Sequence, residues 1–205
     1  MHTGLFVVLI PCVFDGIVGG VQIKAAIDEK AQLLLFFGVV GGGRLVFFTQ
    51  HLVGVGLPDV EYPSDRFDHQ GVFSLVKELS LKDGKLYQYP VPAIKDLQAA
   101  SQPFTALSES KNSYELELNL AADTEHEIVL FADKDGKGLR INFNLKAGQV
   151  TVDRSQAGEP FALDFGTSRS CNIDKEAMSA TIFIDRSIFE IFINKGEKVF
   201  SGRVF

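Results

Sequence analysis

Apolar residues in this chain fall in short runs divided by polar or glycine-rich breaks, and the runs do not keep helical spacing. The clearest alternation is SYELELNL, where Tyr114, Leu116, Leu118 and Leu120 stand against Glu115, Glu117 and Asn119. A period of two predicts a strand with one wet face. HEIVLFAD, GLRINFNL and GQVTVDRS continue the rhythm, divided by DKDGKG and KAG. PFALDFG and KVFSGRVF read as further strands. Turn signals return about every 8–12 residues, which predicts an all-β sandwich or barrel.

The stretch from Ala180 to Asn194 organises the rest. Thr181–Ile184 and Ile188–Ile193 are apolar runs of strand length, rich in Ile, Phe and Thr, residue types that fit a pleated surface. The polar triplet Asp185-Arg186-Ser187 between them predicts a tight turn, so the whole is a β-hairpin. Its strands are apolar on both faces in places, which predicts burial against another layer. Glu190 is the exception. A carboxylate there needs a partner or a route to the surface, and Arg186 across the turn is the nearest candidate. Asp185, Arg186 and Glu190 are therefore structural candidates, with a catalytic acid at Glu190 as the competing role.

The first 56 residues contain the strand-like runs GLFVVLI, AQLLLFFGVV and RLVFFTQHLVGV, with Gly41-Gly42-Gly43 as a turn. No GK[ST] follows those glycines, so they make no phosphate loop. Leu57–Gln70 is a polar connector with four acidic side chains, expected to run over the surface. Asp83-Gly84, between Leu81 and Leu86, is the strongest short hairpin signal. Pro90–Pro103 reads as a linker holding a single helical turn. The expected division is 1–89, a partial β segment; 90–103, a linker; and 104–205, a β-sandwich of two antiparallel sheets.

Composition narrows the function. Net charge is −6 over 205 residues and no basic run occurs, so nucleic acid is not the expected partner. Cys12 and Cys171 are too few for a disulfide framework and stand in no CxxC pair. No metal or other cofactor is expected. Leu5–Phe14 is apolar but too short to span a membrane, which takes roughly 20 residues. No Lys or Arg precedes it, unlike the start of a signal peptide, so buried strands and a cytoplasmic protein are expected. There are 18 Phe and no Trp. Tyr62, Tyr87, Tyr89 and Tyr114 are the remaining aromatic platforms with a polar edge. A separate acid–base reading would gather Asp65, Asp68, His69 and Glu78; solvated loop acids explain them more simply.

Four segments, in order, resemble one family: LPDVEYPSD, KELSLKDGKLYQYPVP, VTVDRSQAGEPF with FGTSRSC, and TIFIDRSIFEIFIN with GEKVFSGRVF. They are similar to the C-terminal part of glycoside hydrolase family 32, the bacterial sucrose-6-phosphate hydrolases and invertases. The resemblance runs from about Gly56 to Phe205. It implies a β-propeller carrying catalysis followed by a β-sandwich, with residues 1–89 as a remnant of the propeller. It implies retaining cleavage of β-fructosides by paired carboxylates. The family's motifs for these, Asn-Asp-Pro-Asn-Gly, Arg-Asp-Pro and Glu-Cys, do not occur here. Asp153-Arg154 and Asp185-Arg186 have the reversed order, and Gly54 stands about where the family has Trp. No catalytic residue is therefore assigned. The implied partners are a catalytic propeller domain or a second copy of the chain, and fructosides. A lectin-like sugar-binding module is the alternative.

Overall fold

The computed structural model describes residues 6–7, 14–18, 21–25, 34–40, 44–51, 62–67, 72–98, 101 and 113–205; up to residue 51 and at 72–73 the backbone alone is described. The chain divides into two compact units, Met1–Gln98 and Ala99–Phe205. Strands dominate both, and the described helices are short 3-10 turns.

In the first unit, β1 (Phe6–Val7), β4 (Leu34–Val40), β5 (Arg44–His51), β7 (Lys77–Lys82) and β8 (Lys85–Pro90) form one antiparallel sheet, with β6 (Val72–Phe73) also on β5. A separate ladder joins β2 (Phe14–Val18) to β3 (Val21–Ala25), a pair the sequence did not announce. The β7–β8 hairpin turns as its sequence requires. Asp83 and Gly84 both have positive φ, 50° and 74°, the backbone of a type I′ turn. The Gly41–Gly43 turn, Cys12 and Gly54 lie outside the described residues.

Tyr62, Pro63 and Ser64 depart from the expected surface connector, because all three are buried. Pro63–Phe67 is a 3-10 turn, closed by the Asp65 carboxylate, which accepts from the Tyr62 amide at 2.9 Å. Sequence polarity misleads here because the short side chain of Asp65 turns back to the Tyr62 amide instead of water. Pro92–Leu97 is likewise 3-10, with Pro at its start.

The second unit is a sandwich of two four-stranded antiparallel sheets. One has the order β16 (Lys198–Arg203), β15 (Ile188–Ile193), β14 (Met178–Asp185), β9 (Ser113–Leu120). The other runs β10 (Glu125–Leu130), β11 (Leu139–Asn144), β12 (Gln149–Asp153), β13 (Ser168–Asn172). Alternation decides what meets between them. Leu139, Ile141 and Phe143 point inward from β11, and Ala180, Ile182 and Ile184 from β14. Ile191 and Ile193 of β15 and Val150 and Val152 of β12 complete the layer. Each of the larger of these side chains, fully buried, contributes about 1.5–3 kcal/mol.

PFALDFG is not a strand. Ala162 turns into the left-handed region (φ 47°) and Leu163–Phe165 closes a 3-10 turn. The fourth strand of that sheet is instead the polar SRSCN segment, β13, which sequence alternation could not mark.

Candidate functional site

The hairpin that carries the candidate residues forms as expected. β14 and β15 pair from Ala180↔Ile193 to Asp185↔Ile188, leaving Arg186 and Ser187 as the turn, with Arg186 at φ 53°. Every residue of β15 is buried. Register then settles Glu190. It stands opposite Phe183 on one side and Ser201 on the other, on the face away from the sandwich core.

Glu190 is 1% exposed, and its Oε1 accepts from the Ser201 hydroxyl at 3.0 Å. The expected Arg186–Glu190 pair is not made: Arg186 is exposed at the turn, while Glu190 is sealed along the strand. Asp185 is also exposed, opposite Ile188 and Ser113 at the hairpin's end. The three candidates therefore do not form one site.

A different arginine does the structural work near that turn. Arg203, 5% exposed, donates from Nε and Nη2 to the Ser187 hydroxyl at 3.4 and 3.2 Å. Its guanidinium lies over the Phe205 ring, 4.2 Å from the centroid. Burial pushes its pKa below the ordinary value. The Val204 amide donates to the Ser187 carbonyl at 2.8 Å, so the last residues are tied to the turn.

Phe205 continues this arrangement. Its ring meets Phe161 edge-on at 4.9 Å, and the Arg154 guanidinium covers Phe161 at 4.4 Å. Each arginine thus lies over one ring of an edge-to-face pair, an arrangement favoured by the negative faces of the rings. Arg154 also donates to the Phe161, Ala162 and Gly166 carbonyls at 2.9, 3.2 and 3.3 Å. It is the hub of the segment that the sequence presented only as a motif.

The remaining candidates separate. Asp68 and His69 lie outside the described residues. Asp65 accepts from the Tyr62 amide through Oδ2 only, and Glu78 sits on β7 opposite Tyr89. Among the sugar platforms, Tyr62 is 5% exposed, which seals its ring. Tyr114 packs against the sandwich core, and burial pushes its hydroxyl above its ordinary pKa. Tyr87 and Tyr89 share one face of β8, with the Lys82 ammonium 5.4 Å from the Tyr87 ring centroid. Cys171 is half-buried on β13, where burial raises its pKa and nearby Lys198 pulls it back. Among the described residues, no three His, Cys, Asp or Glu side chains come together as a metal site. No described helix is long and apolar enough to cross a membrane.

Fold and side chains together define an all-β sandwich protein whose conspicuous polar residues hold chain segments in place. Residues 89–205 match the family described as glycosyl hydrolases family 32 C terminal. The chain belongs to glycoside hydrolase family 32. A sucrose-6-phosphate hydrolase of Streptococcus mutans serotype c is 56% identical over 151 residues, 74% of this chain and 32% of that protein. Its counterpart in Lactococcus lactis subsp. lactis is 38% identical over 156 residues, covering 74% and 30%. The solved sucrose-6-phosphate hydrolase of Lactobacillus gasseri superposes with a TM-score of 0.69 at 35% identity, over 80% of this chain and 34% of that one. The exo-inulinase of Aspergillus awamori shares the fold, with a TM-score of 0.65 at 17% identity, over 92% of this chain and 40% of that one. The chain spans about a third of the length of the curated relatives it matches.

Proposed function

We propose that this chain is the C-terminal portion of a sucrose-cleaving β-fructosidase, and that its sandwich braces the catalytic domain rather than performing the chemistry. The observation that carries this is the pairing of a family match over 89–205 with the absence of all three carboxylate motifs from the sequence. Retaining cleavage needs two carboxyl groups about 5–5.5 Å apart. Glu190, the one buried carboxylate among the described residues, lies on the sheet face away from the sandwich core and accepts from the Ser201 hydroxyl. Residues 1–89 are read as part of the last propeller blade, 90–103 as the link, and 104–205 as the sandwich.

The face assigned to bracing is the outward side of the β9–β14–β15–β16 sheet. It carries Phe183, Ile188, Phe192 and Val199 beside Glu190, and Ile188, Glu190 and Phe192 are buried there although they point away from the sandwich core, as residues beneath a covering layer are. Competing with this is sugar binding without catalysis, for which Tyr87 and Tyr89 on one face of β8 are the available platform.

The test is release of fructose from sucrose and from sucrose 6-phosphate by the purified chain. No release above an enzyme-free blank is expected. Turnover that survives repurification would overturn the reading. Calorimetric titration with sucrose, fructose and levan separates the alternatives: saturable heat supports a binding module, and its absence supports bracing.

A further inference from the structure

The outer edge of β13 points to a second copy of this chain. We propose that two copies pair antiparallel through Ser168–Asn172, joining their β10–β13 sheets into one continuous sheet about a two-fold axis at Ser170. This goes beyond the bracing role and uses a different part of the sandwich.

The ladder's phase supplies the first argument. β13 pairs with β12 from Gln149↔Asn172 to Asp153↔Ser168. The Ile173 amide donates to the Gly148 carbonyl at 3.0 Å and the Arg154 amide to the Thr167 carbonyl at 3.0 Å. Bonded and non-bonded pairs alternate in an antiparallel ladder. The amides and carbonyls of Arg169 and Cys171 therefore face β12, while those of Ser168, Ser170 and Asn172 face outward. No described strand lies on that side, and Ser168, Ser170 and Asn172 are exposed.

Only one two-fold register uses all three outward residues. With the axis at Ser170, Ser170 meets Ser170, and Ser168 meets Asn172 on either side, each a pair that exchanges two hydrogen bonds. The Ser168 carbonyl already accepts from Arg169 Nη1 at 2.7 Å and keeps its second lone pair. The same register sets Arg169 opposite Cys171, so no two charged residues of the paired strands stand opposite each other.

Comparison of the sandwich edges is the second argument. Proteins blunt exposed edges with charge, proline or bulges. β9 carries Glu115 and Glu117, β10 carries Glu125, His126 and Glu127, and β16 carries the exposed Lys198. β13 has no proline and a single charge, Arg169, whose guanidinium folds back onto the Phe165 carbonyl at 2.5 Å. Just before the strand, Leu163 and Phe165 stand 59% and 49% exposed. Of the four edges, β13 is the one left without a guard.

The experiment is the solution mass of the 205-residue chain by light scattering, across a concentration series. The mass of two chains is expected. Ser170→Pro removes a donor that β12 does not use, and such edge positions tolerate proline; it should return the mass to one chain. Ser170→Lys should do the same by setting two ammonium groups at the axis, and serves where the proline variant fails to fold. In a Cys12→Ser, Cys171→Ser background, Ser170→Cys should cross-link on oxidation, because Cα atoms about 5.5 Å apart lie within disulfide reach. Glu125→Cys on the β10 edge should stay uncross-linked. A single-chain mass at every concentration, a double mass that persists in Ser170→Lys, or no cross-link from Ser170→Cys overturns the proposal. None of these outcomes bears on fructose release, so the two readings fail separately.

Discussion

The Arg154 guanidinium lies over the ring of Phe161, 4.4 Å from its centroid, and the same side chain donates to the Phe161 carbonyl at 2.9 Å. One residue thereby holds both the ring and the backbone of the loop between β12 and β13. Arg154→Lys should destabilise the sandwich by about 1–3 kcal/mol, since an ammonium cannot span three carbonyls and stack on a ring together. The urea midpoint of the purified chain measures this. A midpoint equal to wild type would show that the loop holds without Arg154.

Gly158 makes a second claim on that loop. Its φ is 56°, and a Cβ added there would run into the Phe205 carbonyl, which accepts from the Glu159 amide at 2.8 Å. Gly84, at φ 74°, has open space around the same position. Both Gly→Ala variants incur the left-handed penalty of about 1–2 kcal/mol, but only Gly158→Ala also displaces the chain's last residue. Thermal unfolding should rank Gly158→Ala clearly below Gly84→Ala; the opposite order would refute the packing.

Glu190 and Arg186 give a sharper contrast. Glu190→Ala removes a buried acceptor and leaves the Ser201 hydroxyl without it, at an expected loss of about 2–4 kcal/mol from cavity and lost hydrogen bond combined. Arg186→Ala, at an exposed turn, should stay within about 0.5 kcal/mol of wild type. Equal losses from both would restore the ion pair that the sequence suggested. Chemical denaturation of the two variants side by side decides it.

How far the sequence reached follows from what alternation can encode. β9, β11 and β12 were legible because one face of each is apolar and the other wet, and β14 and β15 because each is an apolar run of strand length rich in Ile and Phe. Asp83-Gly84 was legible because its turn needs positive φ at both positions. PFALDFG failed because Phe161, Leu163 and Phe165 mimic alternation. The turn at Ala162 and the carbonyls captured by Arg154 depend on a residue seven or more positions away. β13 was missed because its solvent-facing side is serine and asparagine. The Arg186–Glu190 pairing failed for a related reason: nearness in sequence is not register. Ser201, eleven residues on from Glu190, becomes its neighbour only once β15 and β16 align.

Tyr114 yields a prediction in pH. It stands opposite Ile184 in the sandwich, and burial raises its hydroxyl above the ordinary value of 10.0. The folded state then holds that proton to higher pH than the unfolded chain does. Stability therefore falls as pH rises wherever the unfolded state has lost more protons, a window that opens at about 10.0 and closes above the folded value. Below that window both states keep the proton, and the phenol adds no pH dependence. Tyr114→Phe removes this titration while keeping the ring. The difference between wild type and variant should be flat below pH 9 and should turn against wild type from about pH 10 upward. Urea midpoints at matched ionic strength measure it, with the subtraction cancelling Cys171 and Arg203, which both chains share. A difference that stays flat through pH 11 would mean that the Tyr114 hydroxyl reaches water in the folded state.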